Sequence, residues 1–166
     1  MLKSIILRSK MMKYNINFIV KLTFFILPLI VSIILTACSR NIDIALENIE
    51  NSNLNNRGDN VPVTAIIYKL NDIKKFRDAS AFDLLYREDV ILGKDKIDSI
   101  KMQVSPNEKV AVTTIDKKVA YIGILVIYVN TEGKRIKSYV KVKDIRGIRD
   151  TKVSFTIFKE GVYFVE

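Results

Sequence analysis

Ala120-Tyr121-Ile122-Gly123-Ile124-Leu125-Val126-Ile127-Tyr128-Val129 is a run without a single charged side chain, and most of its members are β-branched or aromatic. Closed by the turn residues Asn130-Thr131-Glu132-Gly133, it reads as a central strand buried on both faces. Beyond that turn the pattern changes. Ile136, Val140 and Val142 alternate with Arg135, Lys137, Lys141 and Lys143, the period of two expected of a strand with one face wet.

Working outward, the same signals recur. Ile42, Ile44 and Leu46 alternate with Asp43, Ala45 and Glu47, and Pro62 opens a strand from Val63 to Leu70, where its missing N–H does least harm. Further strands are expected over Ile97–Val104, Lys109–Ile115, Lys152–Phe158 and Val162–Val165, separated by Ser105-Pro106-Asn107-Glu108, Asp116-Lys117-Lys118 and Lys159-Glu160-Gly161. One segment breaks the period. Ser80 and Asp83 form a capping box ahead of Phe82, Leu85 and Tyr86 at helical spacing, which predicts one short helix with its aromatics in the core. About eight short strands and one helix make an all-β chain, and a β-sandwich is its natural architecture.

Composition narrows the chemistry. The chain has no His, no Trp and one Cys, so neither a Ser-His-Asp nor a Cys-His arrangement can be built, and there is no His-based metal site. A disulfide within the chain is impossible. Five of the 27 basic residues and none of the 18 acidic ones fall in residues 1–37, leaving 22 against 18 for the remainder. That is an ordinary surface, without the basic-aromatic clusters of a nucleic-acid binder. Glu88-Asp89 reads as a solvated turn beside a helix end, not as a catalytic pair. No Gly-rich phosphate loop or calcium loop is present, and neither a catalytic residue nor a cofactor is expected.

Residues 1–37 read as an export signal. Lys13 and Lys21 precede the weakly polar to apolar run Leu22–Ala37 of 16 residues, short of the roughly 20 that span a bilayer. Met11 and Met12 are alternative starts that would give this signal a conventional length. The run ends in Leu35-Thr36-Ala37-Cys38, which resembles the lipobox of bacterial lipoproteins. That resemblance implies cleavage after Ala37 and a lipid on Cys38, and Ser39 in place of Asp implies transfer to the outer membrane by analogy with enteric sorting rules. Residues 38–166 would then be a single periplasmic domain tethered by acyl chains.

Between the first two strands lies a polar stretch, Asn51 to Asn60. It is too long for a tight hairpin and is expected to project as a loop that adds little to the core. Its Arg57-Gly58-Asp59 matches the integrin-binding tripeptide, but Gly beside Asn and Asp is simply good turn chemistry.

A set of segments in fixed order resembles the type VI secretion lipoprotein family TssJ, also called SciN or VasD. After the lipobox come Ile67-Tyr68-Lys69-Leu70, Phe82-Asp83-Leu84-Leu85-Tyr86, Leu92-Gly93-Lys94-Asp95-Lys96-Ile97, Ser105-Pro106-Asn107-Glu108 and Tyr121-Ile122-Gly123-Ile124. Three positions depart from that pattern: Asn107 stands for the usual Gly, Ala81 for an acidic residue, and Arg135-Ile136-Lys137 lacks an aromatic. The resemblance implies a transthyretin-like sandwich of two four-stranded sheets and no enzymatic activity. It also implies anchorage in the outer membrane and docking onto the periplasmic C-terminal region of TssM, which partners TssL. No nucleic acid and no small-molecule substrate is expected. In that family the loop between the first two strands makes much of the TssM contact. Here, by position, it is Ser52, Asn53, Leu54, Asn55, Asn56, Arg57, Gly58, Asp59, Asn60 and Val61, with Leu54 and Arg57 its natural apolar and cationic contacts. The competing expectation is a periplasmic ligand-binding lipoprotein on a β-sandwich, which would need a concave apolar pocket.

Replacing Cys38 by Ser removes the thiol that would carry the lipid. Radiolabelled palmitate should then no longer be incorporated, and the unmodified chain should leave the membrane fraction. A Cys38→Ser variant that still partitions with outer membrane would contradict the lipidation reading.

Overall fold

The computed structural model describes residues 41–116, 118–145 and 151–165; Cys38 and the export segment lie outside them. The alternation at the start of the domain becomes β1 (Asn41–Asn48), which buries Ile42, Ile44 and Leu46. The remaining strands are β2 (Val63–Leu70), β3 (Lys96–Val104), β4 (Glu108–Asp116), β5 (Tyr121–Ile127), β6 (Lys137–Lys141), β7 (Thr151–Phe158) and β8 (Gly161–Val165). They form two four-stranded sheets of order β4-β1-β7-β8 and β3-β2-β5-β6. All neighbouring pairs are antiparallel except β1 with β7. The inner faces meet in one core, with Ile42, Ile44, Phe155 and Ile157 from the first sheet and Ala65, Ile67, Ile122 and Ile124 from the second.

The second sheet is covered on its other face as well. Three short helices, α1 (Lys74–Asp78), α2 (Ala81–Tyr86) and α3 (Glu88–Leu92), lower Phe76, Leu84 and Leu92 onto Ile66, Tyr68, Leu70 and Leu125. This accounts for the unbroken apolar run in β5. Ile122, Ile124 and Val126 face the opposite sheet, and Leu125 faces the helices. At Gly123 the Phe76 ring lies so close that a Cβ would meet it at 2.9–3.1 Å. The same ring stacks at 5.3 Å from Tyr68, whose hydroxyl donates to the Leu84 carbonyl at 2.8 Å. Burial, with Glu88 adding to it, pushes the pKa of that hydroxyl up. The Lys137 ammonium donates to the carbonyls of Phe76 (3.2 Å), Arg77 (2.8 Å) and Ala79 (2.6 Å). It thereby fastens the C-terminal end of α1 to β6, where helix carbonyls lack partners and a cation is favoured. Burial lowers the pKa of this lysine.

The helical segment differs from its sequence reading. Where one helix was expected there are three, and the expected core aromatics of α2 are exposed, Phe82 at 62% and Tyr86 at 69%. The Ser80 cap is as expected, since its hydroxyl accepts from the Asp83 N–H at 3.1 Å. Two apolar sets share this short helix, however, and the inward one holds Leu84 with Ala81 and Leu85. Phe82 and Tyr86 stack on each other outside, with centroids 4.9 Å apart. Glu88 and Asp89 open α3 and do not form a turn; Asp89 is solvated as expected, and Lys96 bonds both carboxylates at 2.6 Å. Asn107 adopts a φ of 56°, the left-handed turn that Asn tolerates best after Gly. Arg135 leaves the expected strand and bridges Gly161 of β8. Among the described residues no helix is long and apolar enough to cross a membrane.

An Ile124→Asp substitution places an unpaired carboxylate between the sheets. Its expected cost of several kcal/mol approaches the whole stability of a typical domain, about 5–15 kcal/mol. Gly123→Val should also destabilise strongly, because Phe76 cannot yield without opening the helical layer. Thermal melting of both variants checks this, and an unchanged midpoint for either would contradict the double-sided burial of β5.

Candidate functional site

The inward row of β1 continues past Leu46 to Asn48, so a carboxamide occupies the last core position of the strand. Its Nδ2 donates to the carbonyls of Val104 (3.1 Å) and Ser105 (3.0 Å) at the β3–β4 turn, and its Oδ1 accepts from the Ser52 hydroxyl. Asn53, only 1% exposed, repeats the device. Its Nδ2 donates to the carbonyls of Pro62 (2.9 Å) and Val61 (3.3 Å), while its Oδ1 accepts from the Val129 N–H at 2.8 Å. The Lys134 ammonium donates to the Ser52 carbonyl at 3.1 Å and sits 4.5 Å above the Tyr128 ring. Burial lowers its pKa, against the opposing pull of Glu160. Two buried asparagines and one lysine therefore fix the base of the β1–β2 loop to two other segments of the sandwich, the β3–β4 and β5–β6 turns.

The outer half of the loop is organised by Asn55. Its Oδ1 accepts from the N–H groups of Arg57 (2.8 Å) and Asp59 (2.9 Å), and its Nδ2 donates to the Asp59 carboxylate at 3.0 Å. A bridge between Leu54 and Asn60 closes the stem, and Gly58 supplies the positive φ of 83° at the tip. Such side-chain-to-backbone bonds are the usual means by which Asx residues hold a turn. Arg57-Gly58-Asp59 forms the tip of that turn.

The ten candidate residues thus divide. Ser52 and Asn53 are buried, Asn55, Asn60 and Val61 are half-buried, and Leu54, Asn56, Arg57, Gly58 and Asp59 face solvent. This corrects the expectation of a loop that adds little to the core: its base is core, because burying the Asn48 and Asn53 carboxamides requires every one of their bonds. Sequence reasoning missed Asn48, Lys134 and Val129. Asn48 carried a signal, as a polar residue continuing an inward apolar row. Lys134 and Val129 carried none, because they reach the loop from the β5–β6 turn. Leu54 (36% exposed) and Val129 (55%) add apolar surface to this end of the sandwich.

A shallow groove elsewhere, on the outer face of β1 and β4, is lined by Asp43, Ala45, Lys109, Ala111, Thr113 and Lys152. Ile44 and Val112 also contribute to it, so the groove is an open sheet face on which apolar surface lies between charged and hydroxyl side chains.

The family model described as type VI secretion lipoprotein, VasD, EvfM, TssJ matches residues 40–158 of the chain. Among solved structures the chain is similar to the T6SS lipoprotein TssJ1 from Pseudomonas aeruginosa, with a TM-score of 0.68 and 19% identity over 77% of this chain and 96% of that one. It is also similar to Serratia marcescens Lip, a membrane-bound component of the type VI secretion system (TM-score 0.66, 18% identity, 78% and 98% covered). A third match is a chain in the structure named for the C-terminal domain (869–1107) of the T6SS protein TssM from EAEC (TM-score 0.63, 18% identity, 75% and 99% covered). At such identities the likeness is one of fold. A search of curated protein sequences gave no match.

Asn53→Ala should strand the Val129 N–H and two carbonyls, at a cost of about 1–3 kcal/mol, whereas Asn55→Ala, whose bonds lie in solvent, should cost well under half of that. Urea unfolding of the two variants distinguishes them, and equal midpoints would contradict the division of the loop into a structural base and a free tip.

Proposed function

Because the chain belongs to the type VI secretion lipoprotein family, we propose that it is a non-enzymatic, structural lipoprotein of that system's membrane complex. Acyl chains on Cys38 hold it in the outer membrane facing the periplasm. The β1–β2 loop docks onto the periplasmic C-terminal region of TssM, the partner of TssL. The observation that carries the docking reading is the build of the loop. Its base is locked by buried carboxamides while Leu54 and Arg57 stand free at its outer half. A segment already ordered loses little conformational entropy on binding, so its contacts convert efficiently into affinity. Arginine and exposed apolar side chains at such a site are the usual carriers of interface energy. A chain of the same fold in the structure named for the TssM C-terminal domain supports TssM as the partner.

Because Ser52 and Asn53 are structural, the loop is best tested by point substitutions in its outer half and not by excision. Leu54→Asp and Arg57→Glu should each weaken binding to the TssM periplasmic fragment by roughly tenfold or more while leaving the melting temperature unchanged. Isothermal calorimetry measures the first and a thermal scan the second. Unchanged affinity in both variants would move the interface elsewhere on the sandwich, and a wild-type chain that fails to bind would favour the ligand-binding alternative.

A further inference from the structure

Only two residues, Ser39 and Arg40, separate Cys38 from the first residue of β1, Asn41. From Cys38 to Asn41 the backbone can extend at most about 10 Å. A lipid on Cys38 therefore fixes which part of the sandwich lies at the membrane. Asn41 pairs with Asp116 at the end of β4. Only residues 117–120 join the end of β4 to the start of β5, and Tyr121 pairs with both Leu70 and Lys141, so the same end of the sandwich holds the start of β5 and the ends of β2 and β6. Backbone bonds from Ala120 to the Leu70 carbonyl (3.1 Å) and from Val142 to the Ala120 carbonyl (3.0 Å) tie these ends together. The β1–β2 loop departs from the opposite end of β1, about 25 Å away at the rise of an extended strand.

The short tether also excludes one alternative posture. Helices α1 to α3 cover the sheet that does not contain β1. Their outer surface lies beyond one sheet-to-sheet spacing and one helix thickness from β1, about 10 Å each. A tether of about 10 Å cannot reach a bilayer on which the Phe82–Tyr86 face lies flat.

Among the described residues, the exposed charges at the β1-start end include Lys94, Lys118 and Lys143 with Asp72 and Asp144, while Asp95 is engaged by Lys75 at 3.0 Å. None of the three lysines takes part in an ion pair among the described residues. That small excess of cation suits a phosphate-bearing surface, where each lysine adds roughly fivefold to the apposed population if the lipids are anionic.

Resting on the lipid anchor at Cys38 proposed above, we propose that the molecule stands end-on against phospholipid headgroups, Lys94, Lys118 and Lys143 facing them, with the β1–β2 loop pointing away from the membrane. The loop end and the Phe82–Tyr86 face then have separate surroundings: the loop end faces outward along β1, and the Phe82–Tyr86 face looks sideways into the periplasm.

The chain contains no Trp, so a single introduced indole reports its own position. The mature, lipidated protein would be reconstituted into vesicles of phosphatidylethanolamine and phosphatidylglycerol that carry a headgroup-nitroxide lipid as quencher. Three variants, Asn71→Trp at the β1-start end, Tyr86→Trp on the helical face and Leu54→Trp in the loop, would be compared in the vesicle-bound fraction. The expected result is strong quenching for Asn71→Trp, little for Tyr86→Trp and none for Leu54→Trp. Combining Asn71→Trp with Lys94→Glu, Lys118→Glu and Lys143→Glu should reduce its quenching. Equal quenching of Asn71→Trp and Leu54→Trp, or stronger quenching of Tyr86→Trp, would overturn the end-on posture. Failure of the protein to float with vesicles would instead overturn the lipid anchor itself, so the two readings fail separately.

Discussion

Phe76 can rest on β5 only because residue 123 has no side chain, and the rest of the domain depends on that contact. The ring fills the space above Gly123, stacks on Tyr68 and carries α1 with it, while Lys137 closes the far end of that helix. The second sheet is thereby covered on both faces, which lets a chain without a disulfide bury β2 and β5 almost completely. For a domain of this size, burial on that scale is the main source of stability. Among the described residues no element covers the first sheet in this way, and its outer face carries charge and hydroxyl groups, as in the Thr114–Asp43 bond and the Lys109–Glu47 pair.

With the core held in this way, the loop end can specialise. Asn48 and Asn53 sit where the strands run out and where backbone carbonyls would otherwise go unpaired. Their carboxamides each reach across to a different segment, so the β1–β2 loop, the β3–β4 turn and the β5–β6 turn form one polar knot. A buried carboxamide is favourable only when its bonds are complete. The loop is for that reason a single defined shape that presents Leu54 and Arg57. Functional residues on a loop positioned by a rigid scaffold are the usual arrangement in binding proteins.

Much of this was legible in the sequence, and the reason is periodicity. Ile42, Ile44 and Leu46 announce a half-buried strand, the run at Tyr121–Ile127 announces a doubly buried one, and Asn107 marks its turn. The faces of α2 were not legible, since a helix of six residues with apolar groups on two sides offers no moment to choose between them. The purpose of Gly123 was hidden too, because its partner Phe76 lies in a distant helix. At the candidate site, position in the chain marked the loop, and its polar composition suggested a decorative role. The tertiary bonds of Ser52 and Asn53, made to residues far along the chain, show otherwise. The lipid attachment at Cys38 was read from a short motif and lies outside the described residues.

On the proposal that this chain holds TssM at a defined place on a membrane, the central claim is that the β1–β2 loop is the gripping surface. Hydrogen exchange, read residue by residue with and without the TssM periplasmic region, tests it most directly. The account predicts that the amides of Asn55, Arg57, Gly58 and Asp59, already slowed by the Asn55 turn in the free protein, become further protected on binding, while those of α2 and α3 do not change. Protection confined to the helical face, with the loop amides exchanging as before, would contradict it.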